Sequence, residues 1–103
     1  MFYIYVIYSA SADRFYVGHS NDPHRRLQQH NESPFDTYTS KHRPWELKAM
    51  FECGFNRAEA MKFEKLIKGH KSRRLLVQLC DSTFTPFGDL AQLVRVPHVR
   101  DAR

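Results

Sequence analysis

Hydrophobic and polar positions follow two different periods along this chain. Residues 2–9, FYIYVIYS, are a nearly unbroken run of aromatic and β-branched residues. Such side chains pack well on a pleated surface and predict a strand. Ala10-Ser11-Ala12-Asp13 breaks the run with turn formers, and RFYVGH at 14–19 resumes it. The short separation predicts an antiparallel hairpin. If Ser9 faces Arg14, then Ile7 faces Tyr16 and Tyr5 faces Gly18. Tyr5 and Tyr16 then share one face as diagonal neighbours. The period changes at Asp22, which suits an N-cap, with Pro23 at the first helical position. This helix follows a tight turn read at Gly18, carries Arg25, Arg26, Leu27 and His30, and stops near Asn31.

Residues 31–45 have no clear period and read as a loop. ELKAMFECG at 46–54 is the next strand candidate. Asn56 followed three positions later by Glu59 resembles a capping box and opens a helix from about Arg57 to His70. SRRLLVQLC at 72–80 reads as a further short helix. Beyond it only LAQLV suggests a turn of helix. The order β-β-α-β-α-α predicts an α+β fold: a small, largely antiparallel three-stranded sheet flanked by helices. Residues 1–80 are expected to fold as the domain. Residues 81–103 are expected to form a C-terminal tail, whose Phe84, Phe87, Leu90, Leu93 and Val94 suit partial docking as a short helix.

The length of 103 residues allows one modest core. No apolar run reaches the length of a membrane span. The apolar N-terminus lacks a basic leader, so it reads as a strand and not a signal peptide. Cys53 and Cys80 have no metal-like spacing, which fits reduced thiols in a cytoplasmic protein. The net charge of +5 lies wholly in residues 1–80, with 13 Lys and Arg against 8 Asp and Glu. A basic globular part points to an anionic partner, nucleic acid first among them.

Several residues could carry chemistry, and each has a plainer reading. Tyr5 and Tyr16 could simply pack. Arg26 and His30, four apart, share a helix face. That face is either a solvated basic surface or an arginine fork suited to a phosphate. Glu64 has Ala60, Met61, Ile67 and Lys68 as helical neighbours. A carboxylate edging into an apolar stripe needs a partner, either a rim cation or a divalent metal ion. Lys68, Lys71, Arg73 and Arg74 cluster toward the helix junction as solvated surface or as a phosphate-binding patch. None of the six histidines forms a ligand spacing with the cysteines, which argues against structural zinc.

Taken in order, these residues resemble the GIY-YIG nuclease family over about residues 2–76. The likeness is strongest to its small stand-alone bacterial members. YIY at 3–5 stands for the first motif element, with Tyr3 in place of glycine, and YVG at 16–18 for the second, with Val17 in place of isoleucine. An arginine follows eight residues after the glycine, a histidine four later, and a glutamate sits on a later helix. The resemblance implies that Tyr5 and Tyr16 are active-site tyrosines, Arg26 the catalytic arginine, His30 its companion and Glu64 the metal-binding residue. It implies a metal-dependent endonuclease that hydrolyses DNA phosphodiester bonds with one Mg²⁺ or Mn²⁺ ion. Tyr5 would be the general base, Tyr16 would orient water or phosphate, and Arg26 would stabilise the transition state. The implied partner is DNA, branched or damaged forms included. The competing reading is a catalytically silent nucleic-acid-binding module of the same fold. Such a module is free to lose the site residues, and all five expected positions are filled.

Overall fold

The N-terminal run forms strand β1 (Tyr3–Ser9), and β2 (Arg14–Ser20) returns antiparallel to it. The pairing is Ser9 with Arg14, Ile7 with Tyr16 and Tyr5 with Gly18, the register that the hydrophobic pattern predicts. Asp13 closes the turn at a φ of +52°, a conformation that aspartate tolerates better than most residues. Its carboxylate accepts from the Tyr8 hydroxyl at 2.6 Å and from the Arg73 guanidinium at 2.5 Å. These details come from a computed structural model that describes residues 1–97. Residues 98–103 of the expected tail lie outside the described residues.

Helix α1 (Pro23–Glu32) begins where Asp22 accepts a hydrogen bond from the Arg25 N–H at 3.2 Å. A short 3₁₀ turn at Thr39–His42 lies in the expected loop. Strand β3 (Glu46–Glu52) pairs with the other side of β1, with an irregularity between Val6 and Ile7. Helix α2 (Arg57–Gly69) is capped by Asn56, and α3 (Arg73–Cys80) by Ser72. Each cap side chain takes a backbone N–H that the first helical turn leaves without a partner.

The sheet has four strands and not the three expected, in the order β2-β1-β3-β4. The addition, β4 (Val94–Arg95), pairs with Phe51 and Glu52. Two residues are too few to show a period of two, so the pattern carries no trace of it. The turn of helix expected in LAQLV is not there: a 3₁₀ turn at Gly88–Leu90 ends at the first residue of that stretch, and Val94, its last, enters β4. The turn read at Gly18 is not there, because β2 continues through it to Ser20.

Alternation along the strands splits the core in two. On one face Ile4, Val6, Val17, Ala49 and Phe51 meet Ala60, Phe63 and Ile67 of α2 and Leu79 of α3. On the other face Tyr5, Ile7 and Trp45 meet Tyr16, Leu27 and Leu47 beneath α1. Helix α1 and helices α2 and α3 thus cover opposite faces, and β2 forms a free edge between them. No helix among the described residues is long and apolar enough to cross a membrane.

Leu90 and Leu93, each 4% exposed, join the larger core, and the Val96 N–H donates to the Met50 carbonyl at 3.0 Å. These contacts bear on the boundary expected near residue 80. Leu93→Ala should lower stability by about 2–5 kcal/mol in a urea titration, as for other buried leucines. An unchanged midpoint would place the end of the cooperative unit near residue 80.

Candidate active site

Tyr5 sits in the middle of β1 and is 1% exposed, and its ring lies across β2 at Gly18. A Cβ on Gly18 would stand 2.4 Å from the Tyr5 hydroxyl. That is a collision with the rigid end of a buried ring. Glycine is therefore needed there for room and not for a turn. The crossing carries the Tyr5 hydroxyl from the sheet interior toward its free edge.

The hydroxyl meets His30 of α1, with Nε2 at 2.9 Å. His30 Nδ1 lies 2.9 Å from the Thr39 hydroxyl, which in turn is 3.2 Å from that of Thr37. A protonated phenol donates best to an imidazole lone pair. That fixes the tautomer with Nε2 accepting from Tyr5 and Nδ1–H donating to Thr39. The periodless segment 31–45 supports His30 from behind. Arg43 donates to the carbonyls of His30 and Ser33, at 2.7 and 2.6 Å, near the end of α1. Asn31 exchanges two hydrogen bonds with the Trp45 backbone, and the Trp45 indole donates to the Thr39 carbonyl at 2.8 Å.

Burial sets the charge of this pair. It pushes the Tyr5 phenol up to about 12, an effect that the nearby Arg26 guanidinium partly offsets. Burial also pushes His30 down to about 4, and the positive charges of Arg26 and Arg43 add to this. At neutral pH the phenol therefore keeps its proton and the imidazole is neutral.

The remaining residues close in at the β2 edge. The Tyr16 ring centroid is 5.1 Å from that of His30, and Lys68 Nζ is 5.3 Å from the Tyr16 ring. Lys68 reaches there from α2 while holding Glu64 Oε2 at 2.9 Å. The other Glu64 oxygen meets His19 Nδ1 at 2.7 Å. Burial alone would raise the Glu64 carboxyl, but hydrogen bonds from Lys68 and His19 outweigh it and hold the group below the usual carboxylate range. Glu64 is thus ionised at neutral pH. Arg26 donates to Gln29 at 2.7 Å and remains half-buried beside Tyr5.

The structure gathers Tyr5, Tyr16, Arg26, His30 and Glu64 around one edge, from both faces of the sheet. Among the described residues no group of three or more His, Cys, Asp or Glu could hold a metal ion. An ion here would rest on Glu64 and on hydroxyl or water oxygens. That donor set suits a hard divalent cation that keeps most of its waters. Lys68 stays near this edge, and Lys71 lines the adjoining cleft. Arg73 is engaged elsewhere: it holds the Asp13 carboxylate and carbonyl and lies over the Phe15 ring. Arg74 is exposed on α3. Burial pushes the Cys53 and Cys80 thiols up to about 11, so neither is a nucleophile at neutral pH.

Sequence reasoning missed Thr39, Arg43 and His19. The last lies 45 positions from its partner Glu64. The Lys41-His42-Arg43 run before Pro-Trp marked the loop as basic, but nothing local pointed from it to the end of α1.

His30 predicts a pH dependence. In the unfolded chain it takes a proton as pH falls through 6.5, whereas in the fold it resists until about 4. The unfolded state then binds more protons, so stability is lost as pH falls across that window, by at most about 3 kcal/mol. Urea midpoints measured across it should fall more steeply for the wild type than for His30→Gln. Parallel slopes would mean that His30 is not held neutral.

Comparison with known proteins agrees with this geometry. The GIY-YIG catalytic domain family matches residues 1–76. The chain is 35% identical over 76 residues to a protein of Meyerozyma guilliermondii named structure-specific endonuclease subunit SLX1, covering 69% of this chain and 26% of that protein. Proteins of the same name from Ajellomyces capsulatus and Cryptococcus neoformans are 39% identical over 72 residues and 44% over 59 residues. Those matches cover 65% and 54% of this chain, and 17% and 12% of the relatives. The chain thus spans only about a quarter or less of the length of these relatives. With a family match across its first 76 residues and the two tyrosine motifs joined over Gly18, the chain belongs to the GIY-YIG family.

Proposed function

We propose that this protein is a metal-dependent endonuclease that hydrolyses DNA phosphodiester bonds. The observation that carries the proposal is the convergence on one sheet edge of a buried Tyr5–His30 pair, Arg26 and the ionised Glu64. A solvated basic surface has no use for a buried phenol–imidazole pair. The relatives' name, structure-specific endonuclease, fits a branched DNA substrate.

The roles follow from chemistry. Glu64 would hold a single Mg²⁺ or Mn²⁺, which when bound supplies positive charge to the phosphate and the leaving oxygen. Lys68, about half exposed, can swing aside to free the Glu64 oxygen it holds. Arg26 stabilises the charge that builds on the equatorial oxygens. Tyr5 takes the proton of the attacking water, and Tyr16 orients that water or the phosphate. Tyr5 must first give up its own proton, and the gap between a phenol at about 12 and an imidazole at about 4 prevents this in the free protein. Arg26 beside the phenol already favours the phenolate, and the positive charge of a bound divalent cation would add to this, so that Tyr5 would release its proton to solvent before taking that of the attacking water. Thr39 keeps the His30 ring aimed at the Tyr5 hydroxyl.

Arg26→Ala should lower cleavage of branched DNA by about 100-fold or more while leaving the melting temperature unchanged. Undiminished cleavage would remove Arg26 from the mechanism. Glu64→Gln should abolish activity and weaken Mg²⁺ binding measured by calorimetry. A Glu64→Gln variant that cleaves normally but melts early would make the residue a structural partner of His19 and Lys68. Intact DNA binding with no cleavage by the wild type under any divalent cation would favour the silent module.

A further inference from the structure

Two clefts flank the candidate site, and they share Tyr16 and Tyr38. The first, about 670 Å³, runs between the β1–β2 hairpin and the α2–α3 junction and is lined by Arg14, Lys68, Lys71 and Arg73. The second, about 710 Å³, continues past Arg26 and His30 to Pro34, Phe35 and Tyr38. One half is basic and the other is aromatic. Phe35 is 74% exposed and Tyr38 46% exposed, although both are large apolar rings. Neither helps to form the core.

The rings of Tyr16 and Tyr38 lie within 25° of parallel, with centroids 6.3 Å apart. That is an offset stacked arrangement at the long end of its range. His42 packs edge-on against Tyr38, with centroids 4.9 Å apart, and helps to hold the ring in place.

We propose that Tyr38 and Phe35 form a stacking subsite for bases of an unpaired DNA strand that leaves the cleavage site through the second cleft. The proposal rests on the nuclease reading above and names the part of the substrate that this side of the site takes. Charge complementarity and continuity with the candidate site argue for this occupant. Phosphates lie along the basic cleft, the scissile one meets Arg26, and the strand then runs over rings. Stacking needs a free face of a base, and bases inside a duplex offer none. Every base has such faces, so the subsite reads strandedness and not sequence.

The test uses a duplex with a short unpaired arm, 2-aminopurine in the arm, and a plain duplex with the same number of phosphates. Binding is measured with EDTA present, and cleavage separately with Mg²⁺. The wild type should bind the armed duplex more tightly and quench the 2-aminopurine. Tyr38→Ala and Phe35→Ala should each weaken that binding about 5- to 100-fold, leave plain-duplex binding unchanged and restore the fluorescence. Tyr38→Phe keeps the ring and should behave as the wild type. Equal wild-type affinity for both duplexes would overturn the subsite, as would unaffected alanine variants or a Tyr38→Phe variant as weak as Tyr38→Ala. Cleavage that persists in any of those cases leaves the nuclease reading standing. Selective arm binding and quenching without cleavage supports the subsite and removes the nuclease.

Discussion

The Tyr5 phenol crosses β2 at the one position in that strand with no side chain, and the site is arranged around that crossing. A buried hydroxyl must find a partner, because leaving it unpaired costs about 1–3 kcal/mol. The partner is His30, which must then be buried as well. Its second nitrogen needs Thr39, and Thr39 needs a fixed backbone, which the Trp45 indole and the Arg43 contacts provide. One aromatic ring lying over one glycine thus accounts for the order found in a long polar segment.

What was legible in the sequence is what local chemistry determines. The short turn gave the hairpin, and setting Ser9 opposite Arg14 gave the register that the strands adopt. Asp22 and Asn56 marked two helix starts, because a cap acts within three residues of itself. The candidate site residues stood out only in their combined order. What was not legible depends on distant partners. Segment 31–45 looks structureless because Arg43 and Trp45 find their partners at the end of α1 and not within a repeating pattern. Gly18 looked like a turn residue because sequence shows that a side chain is missing but not what fills the space.

Charge was the least informative guide to individual residues. The basic junction of α2 and α3 reads as one patch, yet Lys68 is held by Glu64, Arg73 is tied to the hairpin turn through Asp13, and Arg74 is exposed on α3. The excess of positive charge describes the surface that a polyanion would meet. Beneath it, Tyr5 and His30 are both uncharged in the free protein.

Among the described residues strand β2 has no neighbour on its outer side, so its backbone amides and carbonyls on that side form a ready template for another strand. Seven residues of partly aromatic edge would ordinarily invite self-association. Here the edge is guarded by Arg14 on the strand itself, by Arg57 beside His19 and by Lys68 over Tyr16. The cations suited to holding a nucleic acid backbone therefore also repel a second copy of the protein. The edge that the described strands leave open is thus a charged one, and charge is the means by which an unpaired strand resists pairing with its own kind.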